Sequence, residues 1–147
     1  MLKGNQISPE DKHIIDTFFL LKEKEEFRAA FDVLHPLAEK YPDEFVIFFL
    51  LGSALYQCED FINAVGYLEK AVSLNPDHSL SSMILIHTLS NLNRWHTAFN
   101  ELRRFLLKKK GKKKEHLFLL RELQEGIDNF STSERALISD LIKEFKI

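Results

Sequence analysis

Six histidines (His13, His35, His78, His87, His96 and His116) and one cysteine, Cys58, are the side chains of this chain best suited to bind metal or begin nucleophilic chemistry. No two histidines stand at the H-x-x-x-H spacing that would put paired imidazoles on one helical face, and Cys58 has no second thiol to complete a site. No Gly-rich phosphate loop and no Gly-x-Ser-x-Gly elbow occurs among the 5 glycines. Carboxylates are plentiful, but most fall at helix starts and on polar faces. The residues therefore predict no catalytic group, no metal and no cofactor: a protein that is not an enzyme.

One charged stretch needs its own reading. Arg103–Lys114 reads R-R-F-L-L-K-K-K-G-K-K-K, with 8 positive and no negative side chains in 12 residues. Lys108, Lys109, Lys110, Lys112, Lys113 and Lys114 form a basic patch that could hold phosphates or an acidic surface by displacing counterions. No ring alternates with these lysines as a base-stacking platform, and the formal net charge is −2, which argues against nucleic acid. A solvated loop between helices is the favoured reading. An acidic patch on a protein partner comes next, ahead of nucleic acid or lipid.

The elements that would carry these side chains are helical. With 45% hydrophobic and 29% charged residues, and only 5 Gly and 4 Pro for turns and linkers, the composition is that of one all-α domain, residues 1–147. A single cysteine excludes an internal disulfide and favours a cytoplasmic location. The first residues, MLKGNQISPEDK, lack the apolar core of a secretory signal. The uncharged run Phe45–Cys58 is too short for a bilayer span, which takes about 20 apolar residues, so no membrane span is expected. The 13 phenylalanines exceed what a narrow helical stack can hide, and some are expected on a contact surface.

The organising signal is a repeat of fixed period. Adding 34 to the positions of Phe27, Ala30 and Leu34 gives Phe61, Ala64 and Leu68 and then Trp95, Ala98 and Leu102, while Leu21, Leu55 and Leu89 keep the same step. Steps of three and four put these side chains on one helical face. Phe48, Leu51, Gly52 and Leu55, then Ala64, Leu68, Ala71 and Pro76, match the motif of the tetratricopeptide repeat, which the chain resembles over residues 11 to about 112. The resemblance implies a right-handed superhelix of antiparallel helix pairs, about eight helices in all. Its units are residues 9–44, 45–78 and 79–112, with a capping helix pair at 113–147.

Signals along the chain mark the boundaries. Ser8 is the expected N-cap of a first helix running to about Lys24, with Pro9 in its first turn. A second helix is expected over about Glu26–Lys40, and Asp43 is expected to cap the third. Further helices are expected at about His78–Leu92 and Trp95–Lys109, ended at Gly111 by a positive φ. Phe18 and Ile86 stand where the middle unit has Gly52, so altered packing is expected in the outer units without loss of the repeat. Ser131 and Glu134 form the capping-box pattern of a last amphipathic helix, read as a terminal cap.

In the family the inner surface is built from first helices, and its places fall here on Ile15, Phe19 and Lys22, on Val46, Phe49, Ser53 and Tyr56, and on Leu80, Met83, His87 and Asn91. Members that clamp acidic carboxyl-terminal tails place Lys, Arg and Asn at several of these sites. Mostly apolar side chains cannot supply those charge-assisted hydrogen bonds, so a carboxylate clamp is rejected. The partner-binding set is Ile15, Phe19, Val46, Phe49, Ser53, Tyr56, Leu80, Met83, His87 and Asn91, and the expected partner is a protein or peptide with an apolar segment, bound by an adaptor or chaperone. In size, repeat count and groove polarity the chain is similar to the chaperones that hold hydrophobic translocators in bacterial type III secretion. The alternative is a structural subunit of a larger assembly whose groove is filled by its own chain and which meets partners through its ridge and basic loop; a homodimer contact through the last helix is a further expectation.

Overall fold

The structure, a computed structural model, describes residues 7–108 and 113–145 and contains no strand among them. Gly111 and three of the patch lysines, Lys109, Lys110 and Lys112, lie outside the described residues. The chain divides after Asn75 into two compact units.

The first unit holds α1 (Pro9–Glu23), α2 (Phe27–Leu34), α3 (Leu37–Lys40), α4 (Phe45–Gln57) and α5 (Phe61–Leu74). Ser8 caps α1 as its sequence predicts: its Oγ accepts from the Asp11 backbone N–H at 3.2 Å, and Pro9 needs no partner for the N–H it lacks. A connection not visible in the sequence locks this end. The Tyr41 hydroxyl donates to Asp11 Oδ2 at 2.6 Å and accepts from the Ser8 N–H at 3.1 Å, while Lys40 Nζ sits 2.7 Å from the same carboxylate. The bonds from Lys40 and Tyr41 hold the buried Asp11 carboxyl below the usual range.

Two boundary expectations are corrected. The second helix is interrupted, because Pro36 has no N–H to donate back to Asp32; α2 stops at Leu34 and α3 resumes at Leu37. Asp43 does not cap α4. Glu44 occupies that place, without a side-chain capping bond. Seven of the 13 residues of α4 are buried, and burial rather than capping stabilises it.

The repeat is written into the backbone as well as the side chains. Among the described residues, Glu25, Glu59 and Asn93, spaced by the repeat period, are the non-glycine residues with positive φ, at 59°, 59° and 58°. After each of them the chain closes identically: the N–H groups of Glu26, Asp60 and Arg94 reach back to Leu21, Leu55 and Leu89 carbonyls, all at 2.9 Å. With the bonds from Glu25 to Lys22, Glu59 to Tyr56 and Asn93 to Ser90, these are three Schellman turns. They set Phe27, Phe61 and Trp95 as the half-buried first residues of their helices and bury Ala30, Ala64 and Ala98 completely.

Where α4 crosses α5, Gly52 permits the contact. A Cβ there would lie 2.7 Å from Leu68 Cγ and Cδ2 and 3.3 Å from its backbone N. Phe18 and Ile86, at the matching places, are nonetheless buried, so the outer pairs absorb the bulk.

The second unit holds α6 (Ser79–Asn91), α7 (Trp95–Leu106), α8 (Lys114–Glu125), a 3-10 turn (Ile127–Asn129) and α9 (Thr132–Phe145). The expected capping box forms: the Glu134 N–H donates to Ser131 Oγ at 3.3 Å and Glu134 Oε1 accepts from the Ser131 N–H at 3.0 Å. Ile138 and Leu141 of α9 are buried, and the helix packs on α7 and α8. Arg103 forks onto Glu144 at 2.8 and 3.0 Å, and Phe130 meets Trp95 edge to face at 4.9 Å. These contacts make α8 and α9 the carboxyl-terminal cap of their own unit.

Candidate functional site

The first turn of α6 shapes a cavity in the second unit. His78 serves as its N-cap, an unusual choice: the ring Nδ1 accepts from the Ser81 N–H at 3.2 Å and lies 2.6 Å from Ser81 Oγ. Burial pushes the His78 pKa down, which keeps Nδ1 available as an acceptor. With the helix so started, Leu80, Met83, Ile84 and His87 fall along one side of α6 and line a cavity of about 680 Å³. Asp77 and Glu115 complete its wall, together with His78 and Ser79. The Ser79 hydroxyl donates to Glu115 Oε2 at 3.3 Å, tying the start of α6 to α8.

Leu80, Met83 and His87 of the sequence-predicted set thus share one cavity. Asn91 does not join them, because its amide donates back to the His87 carbonyl at 2.8 Å. The other six belong to the first unit. Ile15 and Phe49 pack against its core, and Phe49 stacks on Phe45 with centroids 5.7 Å apart. Phe19 and Val46 stay 41% and 45% exposed, far more than the core ring Phe18 that Phe19 meets edge-on. Tyr56 packs its ring edge against Phe61, and Ser53 Oγ is buried without a hydrogen-bond partner among the described residues. Of the basic patch, Lys108 is half-buried, Lys113 precedes α8 and Lys114 is its exposed first residue.

Sequence reasoning missed Asp77, His78, Ser79, Ile84 and Glu115 around the cavity. It also missed a buried polar chain behind it. Ser82 Oγ donates to Glu101 Oε2 at 2.6 Å, Glu101 takes a two-pronged bond from Arg104 at 2.8 and 2.6 Å, and His116 Nε2 lies 2.9 Å from Ser82 Oγ. Since the single Ser82 proton goes to the carboxylate, His116 must donate from Nε2, which leaves Nδ1 a bare acceptor with no partner among the described residues. The ring is fully buried and stacked on Phe105 at 3.9 Å, and burial pushes its pKa down to about 4. A signal did exist: stepping back one repeat turns Ser82 and Glu101 into Phe48 and Tyr67. Polar residues at apolar repeat places imply a partner elsewhere.

Among the described residues no group of three or more His, Cys, Asp or Glu side chains could hold a metal ion, and no helix is long and apolar enough to cross a membrane. The residues in and around the cavity can bind, through apolar contact and a few polar groups.

No family model and no curated protein matches the chain. Solved structures do. The TPR domain of Sgt2 from Aspergillus fumigatus superimposes with a TM-score of 0.69 at 13% identity, over 88% of this chain and 89% of that one. The chain has the tetratricopeptide-repeat fold. The same fold relates it to the type III secretion chaperone SycD of Yersinia enterocolitica, solved in complex with a peptide of the translocator YopD, with a TM-score of 0.69 at 16% identity over 84% of this chain and 97% of that one. MamA of Desulfovibrio magneticus RS-1, solved from residue 41 to its end, matches with a TM-score of 0.63 at 18% identity over 69% of this chain. The chain spans 57% of the length of that MamA chain.

Proposed function

We propose that this protein is a protein-interaction module of the cytoplasm, an adaptor or chaperone whose units each offer an apolar face to a partner protein's extended or helical segment, on α1 and α4 in the first unit and on α6 in the second. Its mechanism is binding alone. The contact residues are Ile15, Phe19, Val46, Phe49, Ser53 and Tyr56 in the first unit and Leu80, Met83 and His87 in the second. The observation that carries this reading is the cavity on α6: it has an apolar floor, and no residue of α9 lines it. A guest side chain entering it gains about 25 cal/mol for each Å² of apolar surface removed from water, before ordering is subtracted. The peptide held by SycD, a neighbour in fold, is consistent with such a use.

Selection from a displayed random-peptide library tests the reading. Peptides enriched on the protein should carry apolar anchors and lose at least about tenfold in affinity against Leu80→Asp/Met83→Asp, with helicity unchanged by circular dichroism. Peptides that bind this double variant as well as the parent would refute it. If binding instead vanishes when Lys108, Lys113 and Lys114 become Glu, the basic segment is the contact surface and the chain is better described as a subunit of an assembly.

A further inference from the structure

The α6 cavity is bounded by carboxylates. Asp77 and Glu115 line it together with Leu80, Met83 and Ile84, and among the described residues no Lys or Arg lines the cavity. Both carboxylates are exposed, and neither has an ion-pair partner among the described residues. Arg104, which feels the charge of Asp77, is already engaged: it forks onto Glu101 and donates to the Pro76 carbonyl, while Lys113 and Lys114, which precede Glu115 in sequence, do not line the cavity. Leu80, in the same lining, offers a 54% exposed apolar surface. A guest that fills the floor therefore passes two negative groups that gain from meeting a cation and oppose an anion.

From this complementarity, and resting on the binding role proposed above, we infer that the cavity selects a protein segment in which an apolar anchor is flanked by Lys or Arg. Ser79 holds Glu115 in place at the rim, so one flanking cation meets an oriented carboxylate and the other meets Asp77. Selectivity here is the reverse of a carboxylate clamp: acidic tails are repelled, neutral apolar segments bind, and basic-apolar segments bind best.

Three fluorescent peptides with the same leucine anchor, flanked by Lys, Gln or Glu, provide the probe, with anisotropy measured on the full chain. The Lys-flanked peptide should bind about three- to tenfold more tightly than the Gln-flanked one at low salt, as expected for two exposed charge pairs, and the Glu-flanked peptide more weakly. The Lys advantage should disappear in Asp77→Asn/Glu115→Gln, so that the Lys-flanked and Gln-flanked peptides bind this variant equally. A Lys preference that survives in this variant is attraction to the acidic chain at large, and equal binding of all three peptides shows no charge selection. Either result overturns the inference and leaves the binding role standing. If no peptide binds, or if sedimentation finds self-association that Leu80→Asp abolishes without change in peptide binding, the inference falls together with the role on which it rests.

Discussion

The hairpin α4–α5 and the hairpin α6–α7 are built on the same turn and filled with opposite chemistry. Phe48 faces Tyr67 with ring centroids 6.4 Å apart in the first of them; one repeat later Ser82 donates to Glu101. Gly52 and Leu68 let α4 and α5 close on each other without outside help. The α6–α7 pair instead needs His116 from α8 to complete its interior hydrogen bonds. A repeat thus fixes where helices run, while the side chains at its matched places decide whether a hairpin is self-sufficient or depends on the next element.

The largest break in this comparison should come from Glu101→Ala. It removes the carboxylate that pairs with the Arg104 guanidinium and accepts from Ser82, leaving Arg104 only its bond to the Pro76 carbonyl, and should weaken the second unit by about 3 kcal/mol. Hydrogen exchange should rise across α6–α8 while α4–α5 keeps its protection; equal loss in both hairpins would contradict the contrast. Acid should act almost as strongly. His116 is neutral when folded and charges near its ordinary 6.5 when unfolded, so the unfolded chain takes up the proton first and stability falls as pH drops from 6.5 through about 4. That difference corresponds to up to about 3 kcal/mol. His116→Phe should flatten the pH dependence of the urea midpoint in this window, and an unchanged slope would show that His116 is not its source.

Smaller changes sharpen the contrast from the other side. Gly52→Ala forces Leu68 aside, which offsets the gain in helix propensity and leaves a net loss of about 1 kcal/mol, read from the urea midpoint. Ala tolerated there without loss would mean the close approach is not needed. Smallest of all, Glu25→Gly and Glu59→Gly should each stabilise by roughly 0.5 kcal/mol, since an L-residue at positive φ is strained while Gly loses more chain entropy. Asn93→Gly should be close to neutral, because Asn already visits that region readily. Equal gains at all three positions would refute this account of the turns.

The period, the helix pairs and the N-caps at Ser8 and Ser131 were legible in the sequence because they depend on neighbours within one or two turns. Pro36 is equally visible in the sequence, and a proline inside a helical run is enough to interrupt it. The Tyr41–Asp11 bond and the His116 chain were not legible, since each joins residues 30 or more apart whose meeting depends on packing. The family resemblance assigns Leu80, Met83 and His87 to one face of the helix, but the cavity's acidic residue Glu115 was not legible: it reaches the cavity only through the placement of α8. The positive-φ residues were hidden for a different reason. Glu at such a place carries no signal, whereas Gly would have announced it.

Those three turns also explain a freedom in the sequence. Backbone torsions and main-chain bonds perform each reversal, and residues as different as Glu-Glu, Glu-Asp and Asn-Arg occupy it. The corners between paired helices can therefore be recoloured from acidic to basic without re-aiming a helix, leaving this edge of each hairpin open to variation while the interior stays fixed.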